Sequence, residues 1–97
     1  MDAGRSAHMM VTADAALALL YLEIHAPRPI IMGLRSNTQY FGCLLNPRTG
    51  MRRQLWTAGT LTAGDGSLSL PLFPGGRNES DADWAIALTV DKLSLDC

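Results

Sequence analysis

A stretch of alternating polar and apolar residues at positions 51–73 constrains the fold of this chain more than any other part of the sequence. In residues 67–72, three leucines alternate with two serines and Pro71, which is the period-two pattern of a strand that buries one face. The turn sequence Gly-Asp-Gly at 64–66 interrupts the alternation. We therefore predict a β-hairpin, and Pro71 places its return strand at a sheet edge because proline cannot donate a ladder hydrogen bond.

Further strand signals lie on both sides of this hairpin. The apolar runs at 30–34 and 39–45 are separated by turn residues at 35–38, so they predict a second hairpin. The sequence Asn-Pro-Arg-Thr-Gly at 46–50 predicts a type I turn that ends on glycine. Residues 84–90 alternate most cleanly and predict the best-defined strand of the chain.

The C-terminal third of the chain combines a loop with one long strand. The segment at 74–83 is rich in glycine and then acidic, which predicts an exposed connection. After residue 90 the apolar positions switch parity to Leu93 and Leu95. Because a change of parity inside a strand needs one extra residue, we predict a β-bulge at Asp91 and Lys92.

Helix and strand patterns compete in residues 12–25, where the apolar positions fit both one face of a helix and the alternation of a strand. A cap at Thr12 and several alanines favour a helix. Pro27 and Pro29 favour extended backbone at the end of the segment, because the residue before a proline is biased away from helix. We predict a strand from about Leu17.

The strand signals together predict an all-β fold, which is a small antiparallel sandwich or barrel of five or six strands. The alternative is an α+β fold in which one N-terminal helix at about 12–25 packs on an antiparallel sheet. A chain of 97 residues has the size of one domain. We predict a single β domain at 10–97, preceded at 1–9 by a disordered added leader. That opening is rich in polar and small residues and is followed directly by a second methionine at Met10.

Composition and charge disfavour several classes of function. The net charge of −1 and the lack of a long run of charged residues in the sequence disfavour nucleic acid as a partner, because domains that bind polyanions are strongly basic. The longest apolar run, at 15–22, is shorter than the roughly 20 residues that cross a bilayer, so we expect no membrane segment. No signal-peptide pattern is visible, which predicts a cytoplasmic protein. In that compartment Cys43 and Cys97 are expected to be buried free thiols, with a disulfide as the alternative.

No arrangement of residues in the sequence carries a catalytic or cofactor signature. Metal binding is disfavoured because His8 and His25 are isolated and the two cysteines lie far apart. Nucleophilic catalysis by Cys43 would need His25 beside it, and the apolar neighbours of Cys43 are typical of an inert core thiol. Asp81 and Asp83 lie in the glycine-rich loop, where solvated carboxylates are expected. The sequence thus predicts no catalytic residue, no cofactor and no metal, and it favours a non-enzymatic protein.

Arginines and aromatic residues around the start of the hairpin at 51–73 form the candidate binding site. Arginines beside an accessible aromatic ring can hold a carboxylate, a phosphate or the surface of a partner. Trp56 is expected on the outer face of its strand because Leu55 and Leu61 take the opposite parity. The candidate residues are Arg48, Arg52, Arg53, Trp56 and Tyr40.

These features predict a small non-enzymatic module that binds proteins, either a second copy of itself in a homo-oligomer or another protein. The acidic loop at 74–83 is opposite in charge to the arginines, and a small open sheet leaves edges that pair with another chain. The alternative is a sandwich or barrel that binds a small apolar ligand in an internal pocket. Weak nucleic-acid binding through the turn at 48–53 ranks behind both.

Overall fold

The computed structural model describes residues 7–74, 76–91 and 97, and these residues form strands, turns and irregular segments without a helix. The strands in chain order are β1 (Ala7–Val11), β2 (Leu17–Leu22), β3 (Ile30–Ile31), β4 (Gln39–Leu45), β5 (Arg52–Gln54), β6 (Thr60–Leu61), β7 (Leu68–Ser69) and β8 (Trp84–Thr89). The all-β prediction is therefore confirmed, and the strand predicted from Leu17 is β2.

The described strands form one large and one small antiparallel sheet. The large sheet has the order β1-β2-β8-β4-β5, and β6 pairs with the first two residues of β4. The small sheet consists of β3 and β7. Strand β8, whose sequence alternates most cleanly, lies between β2 and β4 and pairs with both.

The core lies between one face of the large sheet and a layer made of the small sheet and its adjoining loops. Strand β2 buries Ala18, Leu20 and Leu22, and β8 buries Ile86 and Leu88. The buried residues of the covering layer are Ile31, Leu34, Leu68, Leu70 and Phe73. Because side chains alternate along a strand, the neighbours of the core residues project from the opposite side of the large sheet, which we call the outer face.

The hairpin predicted at 51–73 has the expected turn but not the expected pairing. The turn forms at 64–65, where the Ala63 amide donates to the Ser67 carbonyl at 2.9 Å. The strands on its two sides nevertheless belong to different sheets, since β6 pairs with β4 and β7 pairs with β3. Burial explains the difference, because Leu68 is buried in the core whereas Leu61 is exposed.

The second predicted hairpin is also wrong, although the turn after it is confirmed. Strand β4 does not pair with β3; it pairs with β8 over five residues, which buries far more of its length. The turn at 46–50 joins β4 to β5, with the Gly50 amide donating to the Asn46 carbonyl at 2.7 Å. Gly50 has φ of +77°, a value that favours glycine.

The predicted boundary at residue 9 does not coincide with a structural boundary. Strand β1 begins at Ala7, so residues 7–9 of the predicted leader pair with β2. Residues 1–6 lie outside the described part of the chain, as does Lys92 of the predicted bulge.

Cys43 and Cys97 form a disulfide, which corrects the expectation of free thiols. Cys43 lies on the outer-face side of β4, and the Cα atoms of the two cysteines are 5.7 Å apart, a separation typical of disulfides. The apolar sequence around Cys43 could not reveal this, because the partner comes from the far end of the chain.

The loop at 74–83 is largely exposed, as predicted, but Ser80 fixes it to the core side of the molecule. Ser80 is buried, and its Oγ accepts a hydrogen bond from the Ala26 amide at 2.8 Å and donates one to the Glu23 carbonyl at 2.6 Å. Near the end of the loop, the Asp83 carboxylate accepts the Ile24 amide at 2.9 Å. The loop is therefore held against the segment that follows β2.

Candidate binding face

The outer face of the large sheet is built from alternate residues of five strands, and the cross-strand register arranges them in rows. One row contains His8, Tyr21, Ala85, Leu45 and Arg52. The next row contains Met10, Leu19, Ala87, Cys43 and Gln54. Polar residues therefore stand at both ends of the first row and at the β5 end of the second row, and apolar residues occupy the other positions.

Large apolar side chains on this face are open to solvent. Met10 is 73% exposed and Leu19 is 47% exposed, and Leu17 and Tyr21 are exposed beside them. Contiguous apolar patches of this kind are uncommon on monomeric proteins, and they mark contact surfaces or ligand sites. The outer face is thus the candidate functional site of the chain.

Small side chains on β8 turn the outer face into a groove. Ala85 and Ala87 form its floor, because they lie in register between larger residues such as Leu19 on β2 and Leu45 on β4. The groove has a volume of about 610 Å³, within the usual range of ligand-binding pockets. It is open to solvent and is not enclosed between the sheets, where a barrel would hold its ligand.

Charged and polar groups flank the groove at opposite ends of one row. At the β1 end, His8 Nε2 lies 3.5 Å from Glu23 Oε2. Next to it, the Tyr21 hydroxyl donates to Asp83 Oδ2 at 2.8 Å, and this hydrogen bond to a carboxylate raises the pKa of Tyr21. At the β5 end stands Arg52. The groove therefore lies between a carboxylate-bearing end and a guanidinium end.

Two of the predicted site residues pack inward. Tyr40 is 0% exposed, and its hydroxyl donates to the Ala15 carbonyl at 2.6 Å and accepts the Arg35 amide at 3.0 Å. Trp56 is partly buried against the core and packs, together with Leu55, over the site of Gly42. Trp56 and Leu55 therefore share a surface, contrary to the parity argument.

The three predicted arginines lie in different surroundings. Arg48 lies over the Trp84 ring, 4.9 Å from its centroid, and donates to the Asp83 carbonyl. Arg53 is exposed and lies beside Leu44, on the opposite side of β5 from the outer face. Arg52 alone belongs to the groove. The five predicted residues therefore do not form one surface.

The sequence did contain a signal for the outer face. Residues 17–22 read Leu-Ala-Leu-Leu-Tyr-Leu, so β2 is apolar on both sides, whereas a strand with one wet face carries polar residues at alternate positions. The leader predicted at 1–9 includes Ala7, His8 and Met9, which leaves only Met10 and Val11 of β1 in the predicted domain. The sequence of β2 therefore predicted an apolar outer face, whereas the contribution of β1 to that face could not be predicted.

The described residues offer little catalytic chemistry. They contain no group of three or more His, Cys, Asp or Glu side chains that could hold a metal ion. The sulfur of Cys43 is bonded to Cys97 and is not available as a thiolate. His25 Nδ1 lies 3.2 Å from the exposed Glu79 carboxylate. Within the same described part of the chain, no helix is long and apolar enough to cross a membrane.

No family model matches the chain, and comparison with curated proteins and with solved structures finds no significant similarity.

Proposed function

We propose that this protein is a small non-enzymatic binding module that associates with a second copy of itself through the outer face. The observation that supports the proposal is the exposed apolar groove around Leu19 and Met10. Covering these side chains removes apolar surface from water, which stabilises a complex by roughly 25 cal/mol per Å² before the costs of association.

A second copy fits this face because the charges at the two ends of the row are complementary. If two copies pack face to face about an axis parallel to the strands, the β5 end of one lies over the β1 end of the other. Arg52 of each copy then approaches His8 and Glu23 of its partner. Sheets that pack in this way form the core of β-sandwiches, with their faces about 10 Å apart.

The size of the face predicts weak association. Five strands about 4.8 Å apart and about 17 Å long give a footprint of roughly 400 Å². Stable interfaces bury about 800 Å² on each partner. We therefore expect a monomer at low concentration that dimerises as concentration rises.

Sedimentation analysis from micromolar to millimolar concentration tests this proposal. Leu19→Glu places a charge in the middle of the face and should keep the protein from associating through it. Leu61→Glu is the matched control, because Leu61 is 67% exposed but lies on β6 and does not line the groove. A parent protein that stays monomeric throughout, or two variants with the same effect, would contradict the proposal.

The second candidate function is binding of a small apolar ligand in the same groove. Its volume of about 610 Å³ and its methionine lining favour this alternative, although the groove is open whereas the pocket predicted from the sequence is internal. The probe 8-anilinonaphthalene-1-sulfonate should then bind saturably at concentrations where the protein is monomeric. Leu19→Glu should remove this binding and Leu61→Glu should not; equal binding to all three proteins would count against a ligand site.

The cytoplasmic location stays a prediction, and the disulfide argues against it. Cytosolic proteins seldom keep disulfides, because the thiol pools of that compartment reduce them. The Cys43–Cys97 bond is more typical of an oxidising compartment.

A further inference from the structure

The two edges of the large sheet differ in how they are protected against pairing with another strand. Strand β5 is only three residues long and carries Arg52 and Arg53, and short charged strands are a common protection of sheet edges. Strand β1 has five residues, Ala-His-Met-Met-Val, with no lysine, arginine or proline. Among the described residues, no strand pairs with the far side of β1. The unprotected edge is therefore β1.

The hydrogen bonds to β2 determine which backbone groups of β1 point outward. The Thr12 amide donates to the Leu17 carbonyl at 3.0 Å, one position beyond the last ladder pair, so Thr12 and Leu17 have the orientation of a hydrogen-bonded pair. Such pairs alternate with pairs that are not hydrogen-bonded to each other. The register then gives Ala7, Met9 and Val11 the outward amides and carbonyls.

The side chains of these three residues lie on the core side of the sheet, at a point where the core is incompletely covered. Their partners on β2 are the buried residues Leu22, Leu20 and Ala18. Met9 is nevertheless 44% exposed, and Val11 is exposed as well. A strand added beside β1 would satisfy the outward backbone groups and cover these side chains at the same time.

We propose that β1 is a second self-association surface, at which β1 of another copy adds antiparallel about a two-fold axis at Met9. In this register Met9 faces Met9 of the other copy, and Ala7 faces its Val11. All three are residues with outward backbone groups, so the pairing forms up to about six hydrogen bonds. The added strand continues the large sheet across the axis.

The register follows from backbone geometry and from the side chains that it places opposite each other. About Met9, each His8 lies opposite Met10 of the other copy, so the two imidazoles do not face each other. A register centred on His8 would place the two polar histidine side chains in direct opposition and would put Val11 opposite residue 5, which lies before the start of β1. Because the outward backbone groups of Ala7 and Val11 are spaced equally on the two sides of Met9, β1 of a second copy can pair with all of them, and we take a second copy as the occupant.

This contact goes beyond the proposed function because it uses the edge of the sheet and leaves the outer face open. The two contacts are separable by mutation, and together they predict assemblies larger than a dimer. The largest assembly of the Leu19→Glu protein should be a dimer paired through β1. The largest assembly of the Met9→Pro protein should be a dimer paired through the outer face, and the double variant should be a monomer.

Met9→Pro is a suitable edge variant because the amide that it removes points away from β2, and proline is tolerated at sheet edges in that orientation. Met9→Leu keeps the amide and an apolar side chain, and it should associate like the parent. Met9→Lys, which places a charge on the inner side of the edge, should act like Met9→Pro. Sedimentation mass that is the same for the parent and for folded Met9→Pro and Met9→Lys would overturn the edge contact and leave the outer-face contact standing.

Cross-linking provides a second measurement that does not depend on the stability of the proline variant. In the background of Leu19→Glu, Met9→Cys brings two thiols together across the axis, with Cα atoms about 5.5 Å apart in a hydrogen-bonded pair. Mild oxidation should convert most of this protein to a covalent dimer, whereas Leu61→Cys in the same background should form no covalent dimer. Equal cross-linking of the two variants would exclude the register about Met9.

Discussion

At Gly42, the absence of a side chain decides how the inner side of β4 is packed. A Cβ at this position would lie 2.7 Å from Trp56 Cζ3 and 2.8 Å from Leu55 Cδ1. Both side chains therefore occupy the space over the glycine. Leu55 and Trp56 are adjacent in sequence, so a regular strand would place them on opposite faces. They lie on the same surface because the backbone between β5 and β6 does not continue as a regular strand.

We expect Gly42→Ala to destabilise the protein by about 1–3 kcal/mol, the usual cost of adding a methyl group to a packed site. Leu55 or Trp56 must move away from β4 to make room, so the tryptophan fluorescence of the folded protein should also change. Urea unfolding measures the first effect. Gly64→Ala is the control, because its new Cβ would approach only Asn37 Nδ2, at 3.9 Å. Equal losses of stability in the two variants would contradict the packing argument.

The turn between β1 and β2 is an element that depends on one carboxylate. Asp14 Oδ1 accepts the Ala16 amide at 3.0 Å and the Thr12 hydroxyl at 2.8 Å. These hydrogen bonds, with a smaller contribution from Arg35, lower the pKa of Asp14 in the folded protein. The carboxylate therefore helps to hold β1, and with it Met9 and Met10, against the sheet.

The lowered pKa makes the stability of this turn depend on pH. A group with a lower pKa in the folded state binds fewer protons there, so its contribution is present above its unfolded pKa. The contribution is lost as pH falls through the folded pKa. We expect Asp14→Asn to be less stable than the parent at neutral pH, and the difference should shrink in strong acid. Urea unfolding across this pH range measures it.

A direct titration of Asp14 by NMR provides the control for that experiment. The Asp14 carboxyl should titrate at lower pH in the folded protein than in a short peptide of residues 12–17, in which the turn is not fixed. A difference between parent and Asp14→Asn that stays constant from neutral to acid pH would show that the charge of Asp14 does not stabilise the turn.

Elements were more predictable from the sequence than their pairing. The period-two pattern located β2 and β8, an apolar run located β4, and local chemistry located the turns at 46–50 and 64–65. Pairing depends on which apolar side chains share the core, and this is a long-range property. Strand β7 pairs with β3 and not with its neighbour in sequence, β6. In this arrangement Leu68 and Leu70 are buried in the covering layer.

At the scale of the whole molecule, the candidate site depends on an arrangement that no single segment reveals. The outer face combines β1, β2, β8, β4 and β5, which come from both ends of the chain. In the sequence, arginines beside an aromatic residue predicted a binding site because of the chemistry of their side chains. The groove instead depends on Ala85 and Ala87, whose small size matters only between the larger residues of neighbouring strands.

The Cys43–Cys97 disulfide joins the last residue of the chain to a central strand, with a sequence separation of 54. Closing a loop of this length restricts the unfolded chain and stabilises the folded protein by about 4 kcal/mol in the chain-entropy model. We expect Cys97→Ser to lower the free energy of unfolding by an amount of this order, measured by urea denaturation. The parent treated with dithiothreitol should fall to the same stability, whereas the variant should not respond to the reductant.

Because β4 already has the partners β8 and β5, the reduced protein should keep its β-sheet circular dichroism. Loss of this signal on reduction would mean that the sheet depends on the bond, and an unchanged stability would mean that the bond does not restrict the unfolded chain.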